Sequence, residues 1–123
     1  MSVKKAFNTA EILHSLPYEA ITAVLDKTTT GTVTENGRKI LKAGTLLAGD
    51  KASIFADGTK KVKKAADAAT YIDGVLLYDA DITDADATVA VVYRGTLNES
   101  KVNGGTVADT VKAKLPHIQF VKR

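Results

Sequence analysis

Four aspartates stand within eight residues, at Asp79, Asp81, Asp84 and Asp86, in the stretch YDADITDADATVAVVYRG. Carboxylates this dense could ligate a cation, or divide into a general acid and a general base. A calcium loop of EF-hand type needs oxygen ligands at its first, third, fifth and twelfth positions and a glycine at its sixth. Counted from Asp79, the sixth residue is Asp84 and the twelfth is Ala90. Counted from Asp84, the same places hold Val89 and Gly95. Neither frame fits, and no His or Glu nearby completes another ligand set. Aspartate also forms turns, because its side chain can bond the backbone two residues on. A solvated acidic turn between two buried strands fits the row better than metal or acid/base chemistry.

The other reactive residues are sparse. His14 and His117 are remote from each other in sequence, and the surroundings of neither suggest a relay. No glycine-rich phosphate loop or dinucleotide fingerprint is present. Gly104-Gly105 reads as the approach to a helix. Lys60, Lys61, Lys63 and Lys64 could contact phosphate. They lack interleaved aromatic residues or arginines, so base stacking and base readout are poorly supported. The reading of this cluster is a solvated loop. No catalytic constellation survives, and the expectation is a non-enzymatic chain with no cofactor and no metal.

The elements that would carry these residues can be placed in turn. At 123 residues the chain suits one domain with one substantial core. Tryptophan is absent, so that core must come from Val, Ile, Leu and Ala. Cysteine is absent too, which excludes disulfides and thiolate chemistry. Lys4 and Lys5 precede no apolar run, so no secretory signal is expected. No apolar run approaches the about 20 residues needed to span a bilayer.

Residues 1–19 read as an N-terminal arm, and residues 20–123 as a single β-rich domain. In the arm, Asn8 and Glu11 have capping-box spacing, Ile12, Leu13 and Leu16 form a short apolar stripe, and Pro17 stops any helix. The alternative is an arm that orders on a partner. A first strand is expected over 20–25. Asn36-Gly37 predicts a two-residue hairpin that pairs Glu35 with Arg38 and Val33 with Ile40. A short strand is expected over 52–55, and a surface loop or short helix over 60–70. The runs 72–78 and 88–95 are apolar on both faces, which marks strands buried on both sides. Thr106 is a candidate N-cap for a helix carrying Val107, Val111 and Leu115 on one face. Pro116 ends that helix, and IQFV at 118–121 predicts a final strand. The fold class is α+β and β-rich: a small sandwich-like or barrel-like body, one C-terminal helix, a last strand and an arm.

Charge is segregated along the chain. Residues 1–64 carry 11 basic and 6 acidic side chains, residues 65–100 carry 1 and 7, and residues 101–123 carry 5 and 1. A free DNA binder would keep one sign over a face. Segregation suits a protein that meets copies of itself or a patterned surface. The aspartate row and the lysines at 60–64 are therefore candidate subunit-interface residues.

Taken in order, AGTLL (43–47), IFADGT (54–59), the long segment 72–102, and TVADTVKAK followed by HIQFV resemble the head decoration, or capsid cement, proteins of lambda-type tailed bacteriophages. The resemblance spans roughly residues 29–121. It implies a non-enzymatic protein on the outside of an assembled, expanded head, typically a homotrimer at three-fold positions, reinforcing the shell against packaged DNA. It also implies synthesis in the bacterial host cytoplasm. The implied partner is the major capsid protein, with no membrane and no direct nucleic-acid contact. Such arms commonly add to a strand of that partner. Ile21, Val24 and Leu25 suit a strand of this kind, and Ile12, Leu13 and Leu16 suit a helical arm. The competing readings are a small nucleic-acid-binding β-barrel, using the lysines with Lys122 and Arg123, and another head or tail component of such a virion.

Overall fold

The computed structural model describes residues 12–122, without the side chains of 15 and 16. Asn36 (φ 52°) and Gly37 (φ 77°) both turn left-handed, as a type I′ hairpin requires. They join β2 (Val33–Glu35) to β3 (Arg38–Leu41). The register pairs Val33 with Ile40 and Glu35 with Arg38, as expected from the sequence.

The other strands build the main body. They are β1 (Leu13–Leu25), β4 (Leu46–Gly49), β5 (Val62–Lys64), β6 (Gly74–Leu76), β8 (Ala87–Asn98) and β9 (Ile118–Val121). Their order is β1-β5-β4-β6-β8-β9, and β8 also pairs with β1. That second pairing closes β1, β5, β4, β6 and β8 into a barrel, and β9 lies parallel to β8 as an extension. A two-residue strand, β7 (Ala80–Asp81), joins β3 and completes a separate three-stranded sheet.

Two cores result from the strand period of two. Leu25, Leu47, Val62, Leu76 and Val91, one from each barrel strand, pack together inside. Their neighbours Leu46, Val75 and Val92 point the other way. There they meet Val111 and Leu115 of the C-terminal helix α1 (Asp109–Lys114) and its flanks. The runs 72–78 and 88–95 are thus buried on both faces through their centres. Each fully buried Leu or Val in these layers contributes about 1.5–3 kcal/mol of hydrophobic stabilisation.

Four local expectations need correction. No boundary falls at 19/20: β1 runs unbroken from Leu13, and Ile12 is buried. The expected arm helix therefore does not extend past 12, and its beginning at 8–11 lies outside the described residues. A long ladder with β8 supplies backbone bonds that a helix of one or two turns could not match. Pro17 sits where the register slips between Ser15 and Glu19, so its missing N–H costs no ladder bond. Opposite it, Gly95 (φ 149°) passes so close to Tyr18 that an added Cβ would lie 3.1 Å from Tyr18 Cβ.

Residues 52–55 form turns, because their backbone is gathered onto a buried carboxylate described below. Residues 62–64 form β5 instead of a loop or helix: Val62 faces in, Lys61 faces solvent, and one inward apolar residue suffices for this short barrel strand. Finally, α1 starts at Asp109 with Ala108 as its cap and no side-chain cap bond, so Thr106 does not cap it. Two 3-10 turns over 99–105 lead the chain up to Thr106, which is extended.

Candidate functional site

The aspartates do not converge. Asp79 accepts the Ala43 amide at 2.7 Å and pairs with Lys42 at 3.1 Å. Asp81 accepts Arg38 Nε at 2.9 Å and both the amide and hydroxyl of Thr83, at 3.0 and 2.7 Å. Asp84 reaches the same Arg38 through Nη2 at 3.4 Å. Asp86 accepts the Lys27 amide at 2.8 Å and Lys61 Nζ at 2.7 Å. Together they fasten three parts of the surface: Asp79 the 42–43 turn, Asp81 and Asp84 the β2–β3 hairpin, and Asp86 the 27 and 61 loops.

Their electrostatics follow the geometry. The Arg38 guanidinium, helped by Thr83, holds Asp81 down at about 2. Lys61 and the Lys27 amide lower Asp86. In return Asp79 and Glu35 raise Lys42, and Asp86 raises Lys61. Every resolved shift in the row and its basic partners favours the charged form, whereas acid/base work needs a pair pushed apart. Among the described residues no three His, Asp or Glu gather as a metal set. The connection is also more than a solvated turn, since Ala80 and Ile82 within it are buried.

The lysine cluster is partly absorbed in the same way. Lys61 pairs with Asp86, and Lys63 lies 3.9 Å from Asp50. The Lys64 amide donates to Thr29 Oγ1 at 2.8 Å, and the Lys64 stem lies over Gly31. The Lys60 amide donates to the Asp57 carbonyl at 3.2 Å. Lys60 and Lys64 have no carboxylate partner among the described residues.

The six residues assigned to the arm separate by depth. Ile12 and Leu25 are core residues, and Leu13 packs partly against the core. Leu16 is in the strand, with its side chain outside the described part. Only Ile21 and Val24 are exposed, at 36% and 40%. Among the described residues the outer edge of β1 is paired only at Leu25, with Val62 of β5. Residues 19–22 are exposed in sequence, so the edge meets solvent on both faces. His14 Nδ1 lies 3.1 Å from Asn98 Oδ1, and the His117 ring is exposed at the end of α1.

Two carboxylates missed in the sequence are buried. Asp73 accepts the amides of Gly49 and Ile54 at 2.7 and 3.0 Å and the Ser53 hydroxyl at 2.5 Å. Glu99 accepts the Val107 amide at 3.2 Å and lies 3.2 Å from Lys112 Nζ. The Val107 bond, aided by Lys112, holds Glu99 below the usual carboxylate range despite its burial. A signal existed for Asp73: a lone acid inside an apolar run buried on both faces needs partners.

Among the described residues no helix is long and apolar enough to cross a membrane. No protein-family model matches the chain, and no curated protein matches it in sequence. The chain is thus defined by its architecture: a small β-rich α+β protein whose body is a closed barrel carrying a C-terminal helix and strand.

Proposed function

We propose that this protein is a decoration protein of a tailed-phage head, non-enzymatic, docking as a trimer on the outside of an expanded shell. The observation that carries this reading is the free edge of β1. A long strand edge left open is an aggregation hazard that proteins normally cover or blunt. Among the described residues it is left open beside two exposed apolar side chains, Ile21 and Val24. An extended segment of a major capsid protein could add to it through backbone hydrogen bonds, with those two side chains as anchors. Three copies at a symmetry axis would multiply a weak contact through effective concentration. Charge for contacts between copies remains at Asp84, whose side chain is 79% exposed, and at Lys60 and Lys64.

The test is co-sedimentation with purified expanded heads, with tails as the control. Wild type should pellet with heads. The double variant Ile21→Lys/Val24→Lys should fold normally and lose at least about tenfold in affinity, the scale of one or two lost anchors. Deleting residues 1–11 probes the arm without cutting into β1. Equal binding by the double variant would remove the edge from the mechanism. Absence of binding to heads by wild type would remove the function.

A second reading has its own observation. Lys42, Lys64 and Lys101 surround a groove of about 430 Å³ beside Gly31, Gly44 and Gly104. This basic groove favours a nucleic-acid-binding barrel. A salt-dependent mobility shift with single-stranded or duplex DNA, together with no head binding, would move the conclusion there.

A further inference from the structure

A different groove, of about 450 Å³, opens between the 70–73 segment and the end of α1. Its size lies in the usual range for small-ligand sites, about 300–1,000 Å³. It lies at a break in the barrel wall. The β6 ladder on β8 ends at Val75 with Val92, and the β9 ladder begins at Ile118 with Gly95. Among the described residues Tyr93 and Arg94 between them have no ladder partner on that side.

The walls are aromatic and held in place. Phe55 is 53% exposed and meets Tyr93 edge-on, with centroids 5.3 Å apart at 71°. The Tyr93 hydroxyl donates to Glu19 Oε1 at 3.0 Å. The Tyr71 hydroxyl donates to the Gly49 carbonyl at 2.7 Å. The turn bearing Phe55 is pinned by Asp73 through the Ile54 amide and Ser53 hydroxyl. Rings fixed before binding lose little entropy when a ligand arrives.

The polar groups of the groove leave positive charge in excess. Asp73 lines the floor, but it is 5% exposed and its oxygens already take three donors. Among the described residues Arg94 is held only by Glu19, at 3.6 Å through Nε, which leaves the outer nitrogens of its fork uncommitted there. Lys114 Nζ donates to the carbonyls of Ala69 and Asp67 and has no carboxylate partner among the described residues. The exposed His117 ring completes this side.

We infer that this groove binds a carboxylate carried on an aromatic body. The ring packs against Phe55, Tyr71 and Tyr93, where aromatic pairs gain beyond simple burial. The carboxylate takes the free fork of Arg94, whose planar donors match it two to two. The same chemistry is offered by a free aryl acid and by a chain that ends in an aromatic residue. The proposal is independent of head binding.

The test is a titration of the ¹⁵N-labelled full chain, followed by amide shifts. Three probes are used: 3-phenylpropionate, its uncharged amide 3-phenylpropionamide, and a tetrapeptide ending in phenylalanine with a free carboxylate. The acid should shift Phe55, Tyr93, Arg94 and His117 together. The amide should bind about tenfold more weakly, the worth of one charge-assisted bond. Arg94→Gln should impose a similar loss for the acid and little for the amide. Phe55→Ala, at an exposed site, should weaken both. Tighter binding of the tetrapeptide assigns the site to a chain end, and tighter binding of the small acid assigns it to a free aryl acid. Scattered or absent shifts, equal binding of acid and amide, or an Arg94→Gln variant that binds the acid like wild type would overturn the proposal.

Discussion

The aspartate row at 79–86 and the isolated carboxylates Asp73 and Glu99 do related work at different depths. Each aspartate of the row ties a loop to the body from the outside, where water competes for every bond. Asp73 ties the Gly49 and Ile54 amides and the Ser53 hydroxyl from the inside, and the two amides are buried from water. Density of charge made the row conspicuous, but position gives the single residue more weight. Exposed ion pairs contribute about 0–1 kcal/mol each. A buried donor left without its partner costs about 1–3 kcal/mol.

This contrast can be broken by mutation. Asp73→Ala strands the buried amides of Gly49 and Ile54, and it should cost ~3 kcal/mol in urea denaturation at unchanged m-value. Less than the cost of a surface pair would refute the depth argument. Glu99→Gln comes next, and its effect should depend on pH. The folded-state pKa of Glu99 lies below its unfolded value, so the unfolded chain binds more protons in acid. The stabilisation is complete above the ordinary glutamate range, near 4.5, and is lost as pH falls through the folded value. The gap in melting temperature between wild type and Glu99→Gln should therefore be widest near neutrality and close in acid. A gap that widens in acid would reverse the assignment.

Within the row, Asp81 should show the largest perturbation. Its carboxyl should titrate at about 2 by NMR. Arg38→Gln should return it toward 3.8, retaining only the part due to Thr83. Its stabilising effect has the same sign as that of Glu99: present above 3.8 and lost as pH falls to about 2. The smallest effect belongs to Asp84→Asn, since that carboxylate makes only a long contact to an arginine already held by Asp81. Its unfolding midpoint should match wild type, and a clear drop would mean that the row acts as a unit.

Much of the fold was legible where local chemistry and tertiary context agree. Asn36-Gly37 dictated its hairpin to the residue, and IQFV became β9 as read. The doubly apolar runs became the barrel strands shared by both cores. The misreadings fall where context overrides a local pattern. Asn8, Glu11 and the apolar stripe spell a short helix, yet β8 offers the same stretch a long ladder. KKVKK looks like a solvated run, but Val62 alone is enough to fill a barrel position. ASIF has strand composition, and Asp73 bends it into turns from nearly 20 residues away. The site residues were harder still. The aspartates were visible but their partners were not, because Arg38, Lys42 and Lys61 are brought to them only by the fold. The aromatic groove draws on four separate segments and left no continuous trace.

The pairing of β1 with β8 also constrains how the chain comes into being. Leu13 meets Leu97, and Leu25 meets Ala87. During synthesis the first strand therefore emerges long before its partner is made. The hairpin and the short strands between them can form while β1 waits, with its β8-facing edge still unpaired. Closing so distant a seam is slow by the ordinary dependence of rate on sequence separation. Both edges of β1 are open to wrong neighbours while the chain is young, and closure on β8 protects only one of them.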